Sequence, residues 1–102
     1  MFLARYKTEG KEQINLYMYH GYNDFIRETF SPDTEIITLL DFTIHGKTYQ
    51  ERKDSLQDIA IAYSHTDCSG LSWLDMHFIT EYFSMNGRRY GLMQEFTENA
   101  IC

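Results

Sequence analysis

The sequence predicts an α+β fold, in which a small antiparallel sheet of about three strands in the N-terminal half packs against helices that include a long C-terminal helix. Three observations predict it. Two apolar segments before residue 45 alternate with the period of a β-strand. A capping box begins a helical pattern at Thr48. A wide apolar stripe with helical period then runs from Ser72 towards the C-terminus. Strands followed by helices are typical of this fold class.

Length and charge restrict the classes of function. We expect the 102 residues to form one domain, 1–102. The net charge of −6 disfavours direct binding to nucleic acid or to an anionic membrane, because both need clustered Lys and Arg. The two cysteines are too few for a disulfide framework. The first 16 residues carry five charged side chains, so we predict no signal peptide or membrane span, and a cytoplasmic location.

The first segment, Phe2–Tyr19, alternates twice around a turn that contains Gly10, which predicts a β-hairpin. A helix over about 12–29 is the competing interpretation, because apolar residues there also have helical spacing. Gly21 favours the hairpin. Asn23 then caps a predicted short helix, 24–30, which ends at Ser31-Pro32.

The next two elements are a strand and a helix. Residues 35–44 are apolar on both faces, which predicts a central strand. His45-Gly46-Lys47 forms a turn, and the capping box Thr48–Glu51 begins a helix of about 49–64. Its predicted buried stripe consists of Tyr49, Leu56, Ile59, Ala60 and Tyr63.

The last element begins at Ser72, a good N-cap. The predicted apolar arc has Leu74, Phe78, Tyr82 and Met85 at its centre, widened by Met76, Ile79 and Phe83. Apolar residues after Gly87 return to the same arc, so we predict one helix over about 72–98, bent at Gly87. Two helices with a break at Gly87 are the alternative. An arc this wide indicates a helix packed on more than one side.

One cluster has side chains that could carry chemistry: His65, Asp67 and Cys68. A metal site needs three or four convergent ligands, and the other His and Cys residues show no paired spacing. A thiol nucleophile needs an orienting third group, which an adjacent Asp rarely provides. We therefore predict no metal, no cofactor and no catalytic residue. A small metal- or thiol-dependent enzyme that uses these three residues remains an alternative.

Two segments of the chain resemble a known class of small proteins. The tail Arg88–Cys102 (RRYGLMQEFTENAIC) and the segment Gly46–Arg52 (GKTYQER) resemble small uncharacterised proteins carried on conjugative elements of Gram-positive bacteria. The resemblance implies an origin in a phage, plasmid or transposon. Small acidic proteins in that setting are often inhibitors of host defence, including anti-CRISPR and anti-restriction proteins.

These observations lead to a functional hypothesis. We expect a non-enzymatic inhibitor that binds and occludes a host protein, such as a CRISPR effector or another nucleic-acid-handling protein. The expected partner-binding residues are those that the core does not require: Trp73, His77, Arg88, Arg89 and Tyr90. A homodimeric accessory protein of element transfer or maintenance, with the exposed part of the last helix as its interface, is the alternative.

Overall fold

The structure, a computed structural model, describes residues 1–17, 33–67 and 69–99. The chain forms two compact units: the sheet unit, Met1–Thr43 with Asp67–Leu71, and the helical unit, Ile44–Thr66 with Ser72–Cys102. The described strands are β1 (Phe2–Thr8), β2 (Lys11–Tyr17) and β3 (Glu35–Asp41). The described helices are α1 (Tyr49–Ser64), α2 (Trp73–Tyr90) and α3 (Met93–Glu98). The predicted α+β class, with a three-stranded antiparallel sheet, is confirmed.

Strands β1 and β2 form the predicted hairpin. Their two-residue turn has positive φ at both positions, 54° at Glu9 and 77° at Gly10, as type I′ turns require. The competing helix from residue 12 is wrong, because Lys11–Tyr17 pairs along its whole length with β1. The predicted end of the hairpin at Tyr19 and the predicted short helix 24–30 lie outside the described residues.

The described strands have the order β2-β1-β3, so β1 and not β3 is central. The prediction of a central third strand is therefore wrong. Phe2, Leu3 and Ala4 of β1 are buried, so both faces of that strand are covered. The β1–β3 register shifts between Arg5 and Tyr6 and leaves Ile37 as an extra, exposed residue. Burial still alternates along β3, so the two-sided apolar pattern arises because Ile37 and Leu39, 44% and 41% exposed, lie on its exposed face.

A buried cluster of Phe2, Ala4 and Tyr6 holds one face of the sheet, with Tyr17 and Ile36 packed against it. The rings of Phe2 and Tyr17 stack with their centroids 5.2 Å apart. The Tyr6 hydroxyl accepts a hydrogen bond from the Asn15 amide at 2.6 Å. Cross-strand aromatic pairs and satisfied hydroxyls of this kind stabilise antiparallel sheets.

Helix α1 begins and ends where the sequence predicts. The Thr48 side chain accepts a hydrogen bond from the Glu51 backbone N–H. The Glu51 carboxylate in turn accepts one from the Thr48 N–H, which completes the capping box. Leu56, Ile59 and Ala60 are buried as predicted, whereas Tyr49 is exposed and Tyr63 is half-buried.

Arg52 joins α1 to α2 and to the turn before α1. Its Nε donates to the Tyr90 hydroxyl at 2.8 Å, and its Nη1 donates to the carbonyls of Ile44 and Gly46 at 3.4 and 3.5 Å. The planar guanidinium thereby satisfies three acceptors, one at the end of α2 and two in the turn before α1. A lysine ammonium cannot reproduce that fork.

The predicted single helix over 72–98 is wrong. The alternative of two helices is confirmed, but the break lies at Gly91 and Leu92 and not at Gly87. Helix α2 ends at Gly91, which adopts the left-handed conformation with φ 70°. The Leu92 N–H donates to the Gly87 carbonyl at 2.8 Å, and the Gly91 N–H donates to the Arg88 carbonyl at 3.5 Å. These two bonds form a Schellman motif, which stops α2 and redirects the chain into α3.

Gly87 lies in the interior of α2 because α3 approaches it closely. A Cβ added at Gly87 would lie 2.9 Å from both the Met93 sulfur and a ring carbon of Phe96. The ring of Phe96 also meets that of Phe83 edge-to-face, with centroids 5.6 Å apart. The apolar residues after Gly87 therefore face the core because α3 folds back onto α2, not because one helix continues in phase.

The buried side of α2 is also different from the predicted one. The buried residues are Ile79, Phe83, Gly87 and Tyr90. The predicted centre of the arc is instead largely exposed: Leu74 is 51% exposed, Phe78 37% and Met85 66%. With 3.6 residues per turn, these three side chains lie on the side of the helix opposite the buried stripe.

Replacement of Gly87 by Ala tests the close approach of α3. In an open helix interior this change stabilises a protein by about 1 kcal/mol. Here the added methyl group overlaps Phe96 and Met93, so we expect a loss of about 1–3 kcal/mol in the free energy of unfolding. Thr80→Ala, at an exposed position of α2, is the control and should change stability by less than about 0.5 kcal/mol. Stabilisation by Gly87→Ala in urea denaturation would contradict the packing described here.

A double-mutant cycle tests the Arg52–Tyr90 hydrogen bond. We expect the variants Arg52→Met and Tyr90→Phe to show a coupling energy of about 1.5 kcal/mol, because the bond has a charged donor and is partly buried. The exposed Gln50–Asp54 hydrogen bond, in the same helix, is the control cycle and should couple by no more than about 0.5 kcal/mol. Equal coupling in the two cycles would argue against a structural role for Arg52.

Candidate functional site

The first turn of α2 places Trp73 in solvent. The Ser72 hydroxyl accepts a hydrogen bond from the Asp75 N–H at 3.2 Å, so the helix begins at Trp73 as the N-cap predicts. Trp73 is 81% exposed, and its ring stacks on that of His77 with a centroid distance of 6.0 Å and an interplanar angle of 15°. Large aromatic side chains are usually well buried, so an indole left in solvent is unusual.

Trp73 lies beside the exposed apolar side of α2, about 100–140° around the helix from Leu74, Phe78 and Met85. We call these four residues together the exposed face of α2, because the ring of His77 connects Trp73 to Phe78. The ring of His77 contacts that of Phe78 as well as that of Trp73, with a centroid distance of 6.2 Å. Contiguous exposed apolar groups on a regular helix commonly mark an interaction surface.

The structure divides the five predicted partner-binding residues into three groups. Trp73 and His77 lie together at the start of α2. Arg88 and Arg89 are exposed in its last turn, about 22 Å further along the axis at 1.5 Å per residue. Tyr90 is only 3% exposed and accepts the hydrogen bond from Arg52, so its side chain belongs to the core of the helical unit.

The side chains that sequence reasoning missed are Leu74, Phe78 and Met85. Each was assigned to the buried arc because helical periodicity identifies an apolar side without saying what covers it. The width of the arc was the available signal. An arc too wide for one core contact belongs either to a helix buried on two sides or to a helix with an exposed apolar side.

Arg52 and Lys53 are consecutive basic residues on α1, and Arg52 does not form a shared surface patch with Arg88 and Arg89 of α2. Arg52 directs its guanidinium to Tyr90 and to two backbone carbonyls. Its charge is therefore used inside the helical unit, and Arg88 and Arg89 provide the exposed cations of α2.

The alternative catalytic or metal-binding cluster is only partly described. Cys68 lies outside the described residues, and His65 follows the last turn of α1. Hydrogen bonds from the Ser69 backbone N–H and side chain lower the pKa of Asp67, and the Arg5 guanidinium adds to the effect. Among the residues that the structure describes, no group of three or more His, Cys, Asp or Glu side chains is placed to hold a metal ion.

A polar groove of about 500 Å³ lies in the sheet unit, between β2 and the segment that contains Asp67 and Ser69. Arg5 is its cation. The guanidinium pairs with Glu12 and lies 3.9 Å from the Asp67 carboxylate, so its charge is already balanced. An arginine balanced in this way has no free charge to attract an anionic substrate.

The sheet unit also contains a hydrogen-bonded tyrosine pair, the buried Tyr6 and the half-buried Tyr17. Burial, followed in size by the hydrogen bond to Tyr6, raises the pKa of Tyr17 above its ordinary value. A phenol whose pKa is raised stays neutral at physiological pH and acts as a hydrogen-bond donor rather than as a base.

Comparisons with protein-family models, with curated proteins and with solved structures find no match to this chain. Within the described residues, no helix is both long and apolar enough to cross a membrane.

Proposed function

We propose that this chain is a non-enzymatic protein-binding module that contacts another protein through the exposed face of α2. The observation that carries the proposal is the exposure of Trp73, 81%, at the start of a helix whose buried stripe packs in the core of the helical unit. Tryptophan is among the residues most enriched at binding hot spots, because it supplies a large contact area with few rotatable bonds.

The local structure prepares the indole for binding. The Ser72 cap holds the first turn of α2, and the stack on His77 restricts the orientation of the Trp73 ring. A side chain ordered before binding loses less conformational entropy when the complex forms. The exposed face also consists of apolar groups, which supply binding energy by leaving water and perform no proton transfer. Both properties favour binding over catalysis.

The proposed target is a host protein that handles nucleic acids, such as a CRISPR effector. Two features support this choice of target. The resemblance of Arg88–Cys102 and Gly46–Arg52 to proteins of mobile elements implies that setting. The net charge of −6 steers the chain towards basic surfaces, which nucleic-acid-binding proteins present. The proposed site of action is the cytoplasm, where such effectors work.

Replacement of Trp73 by Ala tests the proposal. We expect Trp73→Ala to weaken capture of the partner at least tenfold, because truncation of a buried tryptophan anchor typically costs about 2 kcal/mol or more. The measurement is quantitative affinity capture by the tagged protein from nuclease-treated Gram-positive lysate. The captured protein is then purified and titrated by calorimetry against each variant.

The matched control is Ile61→Ala. Ile61 is also a large apolar residue exposed in the helical unit, at 56%, but it lies on α1. This variant should bind like the wild type, and both variants should unfold within about 0.5 kcal/mol of it, because neither side chain is buried. If Trp73→Ala binds with full affinity, the exposed face of α2 is not the contact surface.

A further inference from the structure

The exposed face of α2 has charged side chains on both flanks, and both flanks have the same order. From helical geometry, Asp75 and Arg89 lie on one flank, and Glu81 and Arg88 lie on the other. On each flank the acid is nearer the N-terminus and the base is nearer the C-terminus. Within the described part of the chain, none of these four side chains is in an ion pair.

This order of charges is complementary to itself in one orientation. When two copies of a helix pack antiparallel about a two-fold axis, each flank faces the same flank of the other copy in reversed order. Asp75 then comes opposite Arg89 of the second copy, and Glu81 lies about 7.5 Å along the axis from the level of Arg88 of the second copy. In a parallel pair, Arg88 of one copy would lie beside Arg89 of the other at the same level, which is repulsive.

The register that pairs the charges also brings the apolar side chains together. Residues near 82–83 lie at the two-fold axis in this register. Phe78 and Met85 are on opposite sides of that point, so Phe78 of each copy packs beside Met85 of the other. One arrangement thus brings together both the apolar pair Phe78–Met85 and the charged pair Asp75–Arg89.

We infer that the exposed face of α2 binds a second copy of this chain, with the two α2 helices antiparallel. This inference rests on the proposed function of the face as a protein-binding surface. One helical face of this length buries less area than a standard interface, so the expected dissociation constant is on the order of micromolar or weaker. Self-association and partner binding would compete for the same side chains.

Sedimentation equilibrium of the full chain tests the inference over a range of about 1 μM to 1 mM protein. Reductant is included so that Cys68 and Cys102 cannot form intermolecular disulfides. We expect a concentration-dependent monomer–dimer equilibrium. Met85→Ser should weaken it about tenfold, because each dimer loses the methionine twice. Ile61→Ser, at an exposed position of α1, should leave it unchanged.

A charge reversal distinguishes the proposed charge pairing from nonspecific hydrophobic association. We expect Arg89→Glu alone and Asp75→Arg alone each to weaken dimerisation about tenfold, because each places like charges together twice per dimer. The double variant restores opposite charges and should recover the wild-type dissociation constant to within about threefold. Circular dichroism of all three variants checks that their helix content is unchanged. No recovery in the double variant would overturn the proposed pairing.

Disulfide trapping tests the orientation in a background with Cys68→Ser and Cys102→Ser. In the antiparallel arrangement, the cysteine of the Glu81→Cys variant lies near the same cysteine of the second copy. This variant should therefore form a disulfide dimer under mild oxidation. In the Leu74→Cys variant the two cysteines lie about 25 Å or more apart along the helix axis. This variant should not form a disulfide dimer. Faster trapping at position 74 than at position 81 would overturn the antiparallel assignment.

The outcomes separate this inference from the proposed function. A wild-type chain that remains a monomer at the highest concentration overturns self-association. If Trp73→Ala still abolishes capture of a different protein, the proposed function stands without it. If both self-association and capture are insensitive to substitutions on the exposed face, both proposals fail.

Discussion

The contact of α3 with α2 at Gly87 decides the arrangement of the helical unit. Phe96 approaches the Gly87 backbone so closely that no side chain fits there, and its ring meets that of Phe83. The Schellman motif at Gly91 makes the approach possible, since it reverses the chain directly after the last turn of α2. Once α3 lies on that side, the stripe Ile79, Phe83 and Tyr90 is the buried one, and the opposite side of α2 is left to solvent.

Polar contacts fix the details around that apolar contact. The capping box holds the start of α1, and Arg52 connects α1 with the end of α2 through the Tyr90 hydroxyl. The capping box satisfies N–H groups that the first turn of a helix leaves without intrahelical partners, and Arg52 satisfies the hydroxyl of the buried Tyr90. Both therefore specify the geometry as well as stabilising it. The helix that bears the exposed face is therefore held at both ends, by the Ser72 cap and by Tyr90.

A rigid helix with one buried side and one exposed apolar side is suited to recognition. The energetic advantage is that the side chains are presented in fixed order before binding, so little entropy is lost on association. In the proposed function, the flanking charges select partners and orientations, because a mismatch leaves like charges together. The apolar groups supply the affinity in the proposed function, and the charges supply the specificity.

Elements whose causes are local were predictable from the sequence alone. The Glu9-Gly10 turn, the capping box at Thr48 and the N-cap at Ser72 each depend on a few neighbouring residues, and each lies where it was predicted. Helix α1 was predicted to the residue for the same reason. The position of Trp73 in the first turn of a helix also followed from the cap.

Only the tertiary structure decided what covers each apolar surface. Periodicity cannot distinguish a helix that continues past Gly91 from one that folds back, because both place Leu92 and Phe96 against the same core. It also cannot say which part of a wide apolar arc is buried, since that depends on where α3 lies. The strand order likewise depends on pairing between distant segments, so β3 has the composition of a central strand and the position of an edge strand. The exposure of Trp73, Leu74, Phe78 and Met85 is a consequence of those long-range contacts.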